Sequence, residues 1–177
     1  RSLPLLIVLL ALAGPAIERT TDDESVIFVL DHSQSQGEVG LKASYERTKK
    51  LIDALPGGTT VGIVTTGDTT QVLQMPAEDF EFPEPDLKRL KEDGGQTDLA
   101  SAVSLSSGLF PSGTSRRVVL VGDGQETRGD LESAARQAAQ LGVTIDAVPI
   151  AGERRPDVRV TRLTPNRSRI HEGASLE

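Results

Sequence analysis

The sequence predicts an α/β domain: a doubly wound, mostly parallel central sheet flanked by helices, with one antiparallel edge strand. Three observations carry that expectation. Short apolar runs without polar alternation, above all "VIFVL" at 26–30, suit central parallel strands covered on both faces. Segments with helical spacing lie between those runs, so strands and helices alternate along the chain. Asp-rich polar turns follow two of the strand-like runs, where sheets of this class place ligand-binding loops.

Residues 1–17, "RSLPLLIVLLALAGPAI", hold one charge, Arg1, ahead of an apolar run. A bilayer span takes ~20 residues. The run reads as a transmembrane helix, as a signal-peptide core with "ALA" as its cleavage-like stretch, or as a buried helix. The expectation taken forward is a membrane anchor. With the positive residue ahead of the run, the following domain lies outside the cytoplasm. Residues 18–25, "ERTTDDES", form a polar linker, and 26–151 form the α/β unit.

Within that unit, "VIFVL" is the first strand. Leu41, Tyr45, Thr48, Ile52 and Leu55 recur at steps of four and three, one face of a helix that "PGG" at 56–58 ends. "TTVGIVTTG" and "TTQVLQMP" read as two strands paired antiparallel through a Gly67–Asp68 turn. Residues 76–95 are acidic and Pro-rich, with a short helix expected at 87–92. "TDLASAVSLSSGLF" is a helix with Leu99, Val103, Ser106 and Phe110 on one side, opened by Thr97. "RRVVLVGDG" is a further buried strand. An Ala-rich helix follows with Leu131, Ala135, Ala138 and Gly142 on one face, and "VTIDAVPI" is the last strand, where Pro149 suits an edge. Right-handed crossovers then make the first strand central, with "RVVLV" on its other flank. Residues 152–177 carry a strand-like alternation and read as a C-terminal extension or the start of a further β-domain.

Composition narrows the chemistry. The net charge is -7 and the basic residues are scattered among acids, so nucleic acid is not an expected partner. The absence of cysteine removes disulfides, thiolate metal sites and cysteine nucleophiles. With His32 and His171 the only histidines, an imidazole-rich zinc site is not expected either. A metal here would be a hard ion bound through oxygen.

Three segments supply such oxygens. "DHSQS" sets Asp31, Ser33 and Ser35 at alternate positions after the first strand, "GGQTD" brings Thr97, and "VGDGQET" brings Asp123 after the fourth. Singly, each has a local explanation as a turn or an N-cap. Jointly they meet in the crevice between the carboxyl ends of two neighbouring strands. Two carboxylates and three hydroxyls suit Mg²⁺, with Mn²⁺ or Ca²⁺ as alternatives, and leave room for one more carboxylate.

The segments "DHSQS", "GGQTDLASA" and "VLVGDGQETRGD" together resemble the von Willebrand factor type A domain and its metal-ion-dependent adhesion site. The resemblance spans roughly 25–151. It implies that Asp31, Ser33, Ser35, Thr97 and Asp123 hold the ion, directly or through water, for an acidic group of a protein partner. The apolar segment ahead of such a domain is similar to membrane-anchored bacterial members of the family. Two other readings stand beside this one: a metal-dependent hydrolase or phosphatase, and a metal-free structural domain of a larger membrane protein. The enzyme reading lacks a G-x-S-x-G elbow, a P-loop, and an acid at the position of Ser33. A binding module, not an enzyme, is therefore the expectation.

Overall fold

The computed structural model describes residues 23–33, 35–79, 81–83 and 95–150. The apolar segment 1–17, the helix expected at 87–92 and the extension 152–177 lie outside the described residues. Among the described residues, no helix is long and apolar enough to cross a membrane.

Eight elements alternate as expected: β1 (Glu24–Asp31), α1 (Gly37–Ile52), β2 (Thr60–Thr66), β3 (Gln71–Ala77), α2 (Leu99–Ser107), β4 (Ser115–Gly122), α3 (Leu131–Gln140) and β5 (Val143–Pro149). They form one five-stranded sheet in the order β3-β2-β1-β4-β5. Strand β1 pairs parallel with β2 on one side and β4 on the other. Strand β5 is parallel to β4, while β3 runs antiparallel to β2 with two register shifts. The prolines fall where a missing N–H is tolerated, Pro76 on edge strand β3 and Pro149 at the end of edge strand β5.

The apolar run of β1 is continuous because its side chains serve two cores. Ile27 and Val29 pack on one face with Val64, Val118 and the α2 and α3 residues Ala102, Val103, Ala134 and Ala138. Val26, Phe28 and Leu30 pack on the other with Tyr45 of α1, Ile63 and Val121. Burial on both faces leaves no position for a polar alternation until the strand ends at Asp31.

Two helix readings shift. Helix α2 is capped by Asp98, whose Oδ1 accepts a 2.8 Å hydrogen bond from Ser101 N–H, so Asp98 rather than Thr97 opens it. Thr and Asp are both good capping residues, and adjacent in sequence they compete for one position. Helix α3 buries Ala138 of the expected face and packs Leu131 half-buried on the same core, but Ala134 rather than Ala135 is the second buried alanine and Gly142 is exposed. An Ala-rich helix has little size contrast around its circumference, so periodicity orients it poorly.

Candidate metal centre

Helices α1 and α3 return from one parallel strand to the next, so both begin at the carboxyl ends of the strands. Helix α2 begins there too: Thr66 Oγ1, at the end of β2, donates a 2.9 Å hydrogen bond to the Asp98 carbonyl. Three positive helix ends therefore face the loops that carry the candidate residues, a setting that favours carboxylates.

Asp31 ends β1 and is 1% exposed. Its Oδ1 accepts the Ser33 N–H at 2.8 Å, a tight turn made by the acid on its own loop. Its Oδ2 is buried and, among the described residues, has no hydrogen-bond partner. Ser33 Oγ and Ser35 Oγ are 2.8 Å apart, and Ser35 Oγ donates to Asp123 Oδ2 at 2.6 Å. Since the Ser35 proton is committed to Asp123, Ser33 donates to Ser35. The two hydroxyl protons thus point along one chain toward Asp123, and the Ser33 lone pairs stay free to accept a cation. Asp123 Oδ1 accepts Gln125 N–H at 3.0 Å, which fixes the carboxylate over its turn.

The structure therefore joins Asp31, Ser33, Ser35 and Asp123 through one run of short hydrogen bonds and the Ser33–Asp31 turn. Thr97 is 1% exposed and, among the described residues, hydrogen-bonds to none of those four. It is held at the same end of the sheet from the Asp123 loop. Thr97 N–H donates to Thr127 Oγ1 at 2.8 Å, and the Thr97 carbonyl accepts from Thr127 N–H and Arg128 N–H, each at 3.1 Å.

Burial pushes the Asp31 carboxyl above its ordinary value. The Ser33 N–H and the nearby Gln36 amide pull it back, and the charge of Asp123 adds to the rise. Gln36 Nε2 is itself buried and, among the described residues, has no hydrogen-bond partner. We read its effect on Asp31 as that of a nearby dipole rather than a formed hydrogen bond. A buried acid, an orphaned carboxylate oxygen and a second carboxylate nearby are what a cation at this point would relieve. Among the described residues, no group of three or more His, Asp or Glu side chains is arranged to hold a metal. The donor set on offer is instead two carboxylates supplemented by hydroxyls.

Four supporting residues escaped the sequence reading. Gln36 is fully buried and its Oε1 accepts from Ser44 Oγ at 2.9 Å, tying the first loop to α1. Gly122 has no room for a side chain: a Cβ there would sit 2.6 Å from Asp31 Cβ. Glu126 Oε1 accepts Ala100 N–H at 3.1 Å and its Oε2 accepts Leu131 N–H at 2.9 Å, so one carboxylate clamps the starts of α2 and α3. Thr127 is the fourth, through Thr97. Only the run of polar residues after "GDG" signalled the last two. His32 stacks on Tyr45 with ring centroids 5.9 Å apart, and its Nε2 is 3.3 Å from Tyr45 Oη.

Residues 26–125, more than half of the chain, match the von Willebrand factor type A domain. Among solved structures, BatB from Bacteroides thetaiotaomicron matches with a TM-score of 0.62 at 21% identity, over 78% of this chain and 76% of that one. An aerotolerance-related membrane protein from Bacteroides fragilis matches at 0.57 and 20% identity, over 78% and 77%. Proximal thread matrix protein 1 from the mussel byssus, solved with a zinc-occupied metal-ion-dependent adhesion site, matches at 0.56 and 18% identity, over 71% of this chain and 37% of that one. At these identities the likeness is one of fold. The comparison with curated proteins gives no match.

Proposed function

The chain belongs to the von Willebrand factor type A domain family, and on that premise we propose that it is a metal-dependent protein-interaction module. Asp31, Ser33, Ser35, Thr97 and Asp123 hold a divalent cation, and an acidic side chain of a partner completes its shell. The observation that carries this reading is Asp31: a buried carboxylate with one oxygen unpaired, joined through Ser33 and Ser35 to a second carboxylate.

The chemistry follows from the donor set. Two carboxylates balance the charge of a divalent ion, and neutral hydroxyls add ligands without adding charge. An ion so held keeps its attraction for a further anion, which is what a docking site for a carboxylate requires. An oxygen-only set favours hard ions, so Mg²⁺ is the proposed occupant, with Mn²⁺ and Ca²⁺ as alternatives. The zinc site in the mussel protein's structure supports a divalent ion at this place in the fold. The membrane protein among the structural neighbours supports a membrane setting, in which residues 1–17 are the anchor and the module lies outside the cytoplasm.

Calorimetric titration of the EDTA-stripped chain with Mg²⁺ and Mn²⁺ tests the reading. Binding is expected for the wild type and is lost in Asp31→Ala and Thr97→Ala, both of which retain their far-UV circular dichroism. Absence of binding by the wild type, with and without a carboxylate ligand present, would refute it.

A further inference from the structure

Beside Asp31 and Asp123 lies a cavity of about 140 Å³ that the metal centre does not use. Leu99 of α2, Leu131 of α3 and the paired Leu120 of β4 and Ala147 of β5 line it on the α2 and α3 face of the sheet. Asp31, Gly122 and Asp123 close the side toward the candidate metal ligands, so cavity and centre share a boundary. Leu120 and Leu131 are only half-buried, which leaves aliphatic surface uncovered here. Gly124, also in the lining, has nothing within 4 Å of where a Cβ would stand.

The contrast in chemistry is sharp. Among the described residues, the charged groups bordering the cavity are Asp31 and Asp123, both of the proposed metal centre. A charged or strongly polar group entering the cavity would find aliphatic walls and no donor set of its own. An apolar cavity of ~150 Å³ is large enough for a benzene-sized guest. The space therefore fits a branched four- or five-carbon aliphatic group.

We propose that the centre reads two features of its partner at once: a carboxylate at the cation and an aliphatic side chain next to it, seated in this cavity. The partner's docking sequence then pairs Asp or Glu with Leu, Ile or Val, and an acidic residue flanked only by polar residues docks weakly. This inference rests on the metal-dependent reading above and adds the partner's chemistry to it.

Simple carboxylates separate the two ideas. The full chain, loaded with Mg²⁺ and observed by NMR, is titrated with acetate, butyrate and 4-methylpentanoate. Each buried methylene strengthens binding about fourfold. Partial burial of the tail and its loss of freedom reduce the total, and 4-methylpentanoate is expected to bind about tenfold more tightly than acetate. Ala147→Leu on exposed β5 fills the cavity and should erase that ratio while leaving Mg²⁺ affinity unchanged. Leu131→Ala, which removes one wall, serves as the second variant and should lower the ratio about threefold.

Equal affinity for the three carboxylates, each requiring Mg²⁺, would overturn the cavity proposal and leave the metal reading standing. So would a tail-dependent ratio that both variants preserve. Occupation of the cavity by residues after Ile150 of the chain itself would show as equal affinities together with a destabilised Ala147→Leu, and it too overturns the proposal. Carboxylate binding that ignores Mg²⁺ removal would instead refute the metal reading, and this inference with it.

Discussion

Gly122→Ala is the most direct test of how the fold places Asp31. The added Cβ would sit 2.6 Å from Asp31 Cβ, 3.0 Å from Asp31 Oδ2 and 3.0 Å from Gln36 Nε2. Carbon atoms in good contact stand about 3.5–4.0 Å apart, so Asp31 and Gly122 must separate by roughly 1 Å. Asp31 Cβ is attached to a central strand paired on both sides, and a flexible side chain cannot absorb the shift. Overpacking of this kind costs about 1–3 kcal/mol. At about 2–4 °C per kcal/mol, thermal unfolding of the EDTA-treated variant should fall by ~6 °C. Metal–ligand distances tolerate only about ±0.2 Å, so the same movement should weaken Mg²⁺ by about 10–100-fold in calorimetry. A variant with wild-type Tm and wild-type Mg²⁺ affinity would show that Gly122 does not set the position of the carboxylate, and the reasoning would fail.

Three further outcomes follow from single groups. Glu126→Ala removes acceptors from the first turns of both α2 and α3, and chemical denaturation should register a loss of about 2 kcal/mol, with Glu126→Gln recovering part of it. Asp31 has its folded pKa raised by burial, so the metal-free native state binds more protons than the unfolded chain. Its contribution to stability must therefore fall as pH rises from the ordinary Asp value of 3.8 through the raised one, and Asp31→Asn should flatten that slope while abolishing Mg²⁺ binding. Tyr45, the chain's single tyrosine, is pushed by burial up to about 12. Tyrosinate absorbance should stay silent at pH 10–11, and stability should decline above pH 10 in the wild type but not through this group in Tyr45→Phe.

The parts legible from sequence were those in which one residue type performs one task repeatedly. "VIFVL" is legible because five consecutive apolar side chains have only one common explanation, a strand covered on both faces, and that placed β1 at the centre of the sheet. Asp31 and Asp123 were legible because an acid directly after such a run has no core to enter. The residues that escaped act singly and at a distance. Glu126 reaches back to Ala100 and forward to Leu131, and a side chain accepting from two backbone N–H groups leaves no periodic trace. Gly122 is recognisable only once Asp31 Cβ is known to lie against it. Thr97 and Asp98 shared a task that either residue type performs, so the cap was misplaced by one position while the helix itself was found.

Burial without pairing is also what separates Asp31 from the other acids at this end of the sheet. Asp98 and Asp130 cap helices, and Glu126 clamps two helix starts, so each contributes to folding where it stands. Asp31 gives one oxygen to Ser33 N–H and leaves the other buried and unpaired, close to a Gln36 Nε2 that is buried and unpaired as well. Both groups flank the space that Gly122 keeps clear. A sequence selected for stability alone would join that donor and acceptor, or would replace the acid with an apolar residue, since an uncompensated buried charge costs more than a well-packed hydrophobe. The domain carries that cost at the carboxyl end of its central strand, next to a second carboxylate and two hydroxyls whose protons are already committed. A bound cation would turn each of these liabilities into an attraction, which is why the proposed site is placed at this end of the central strand.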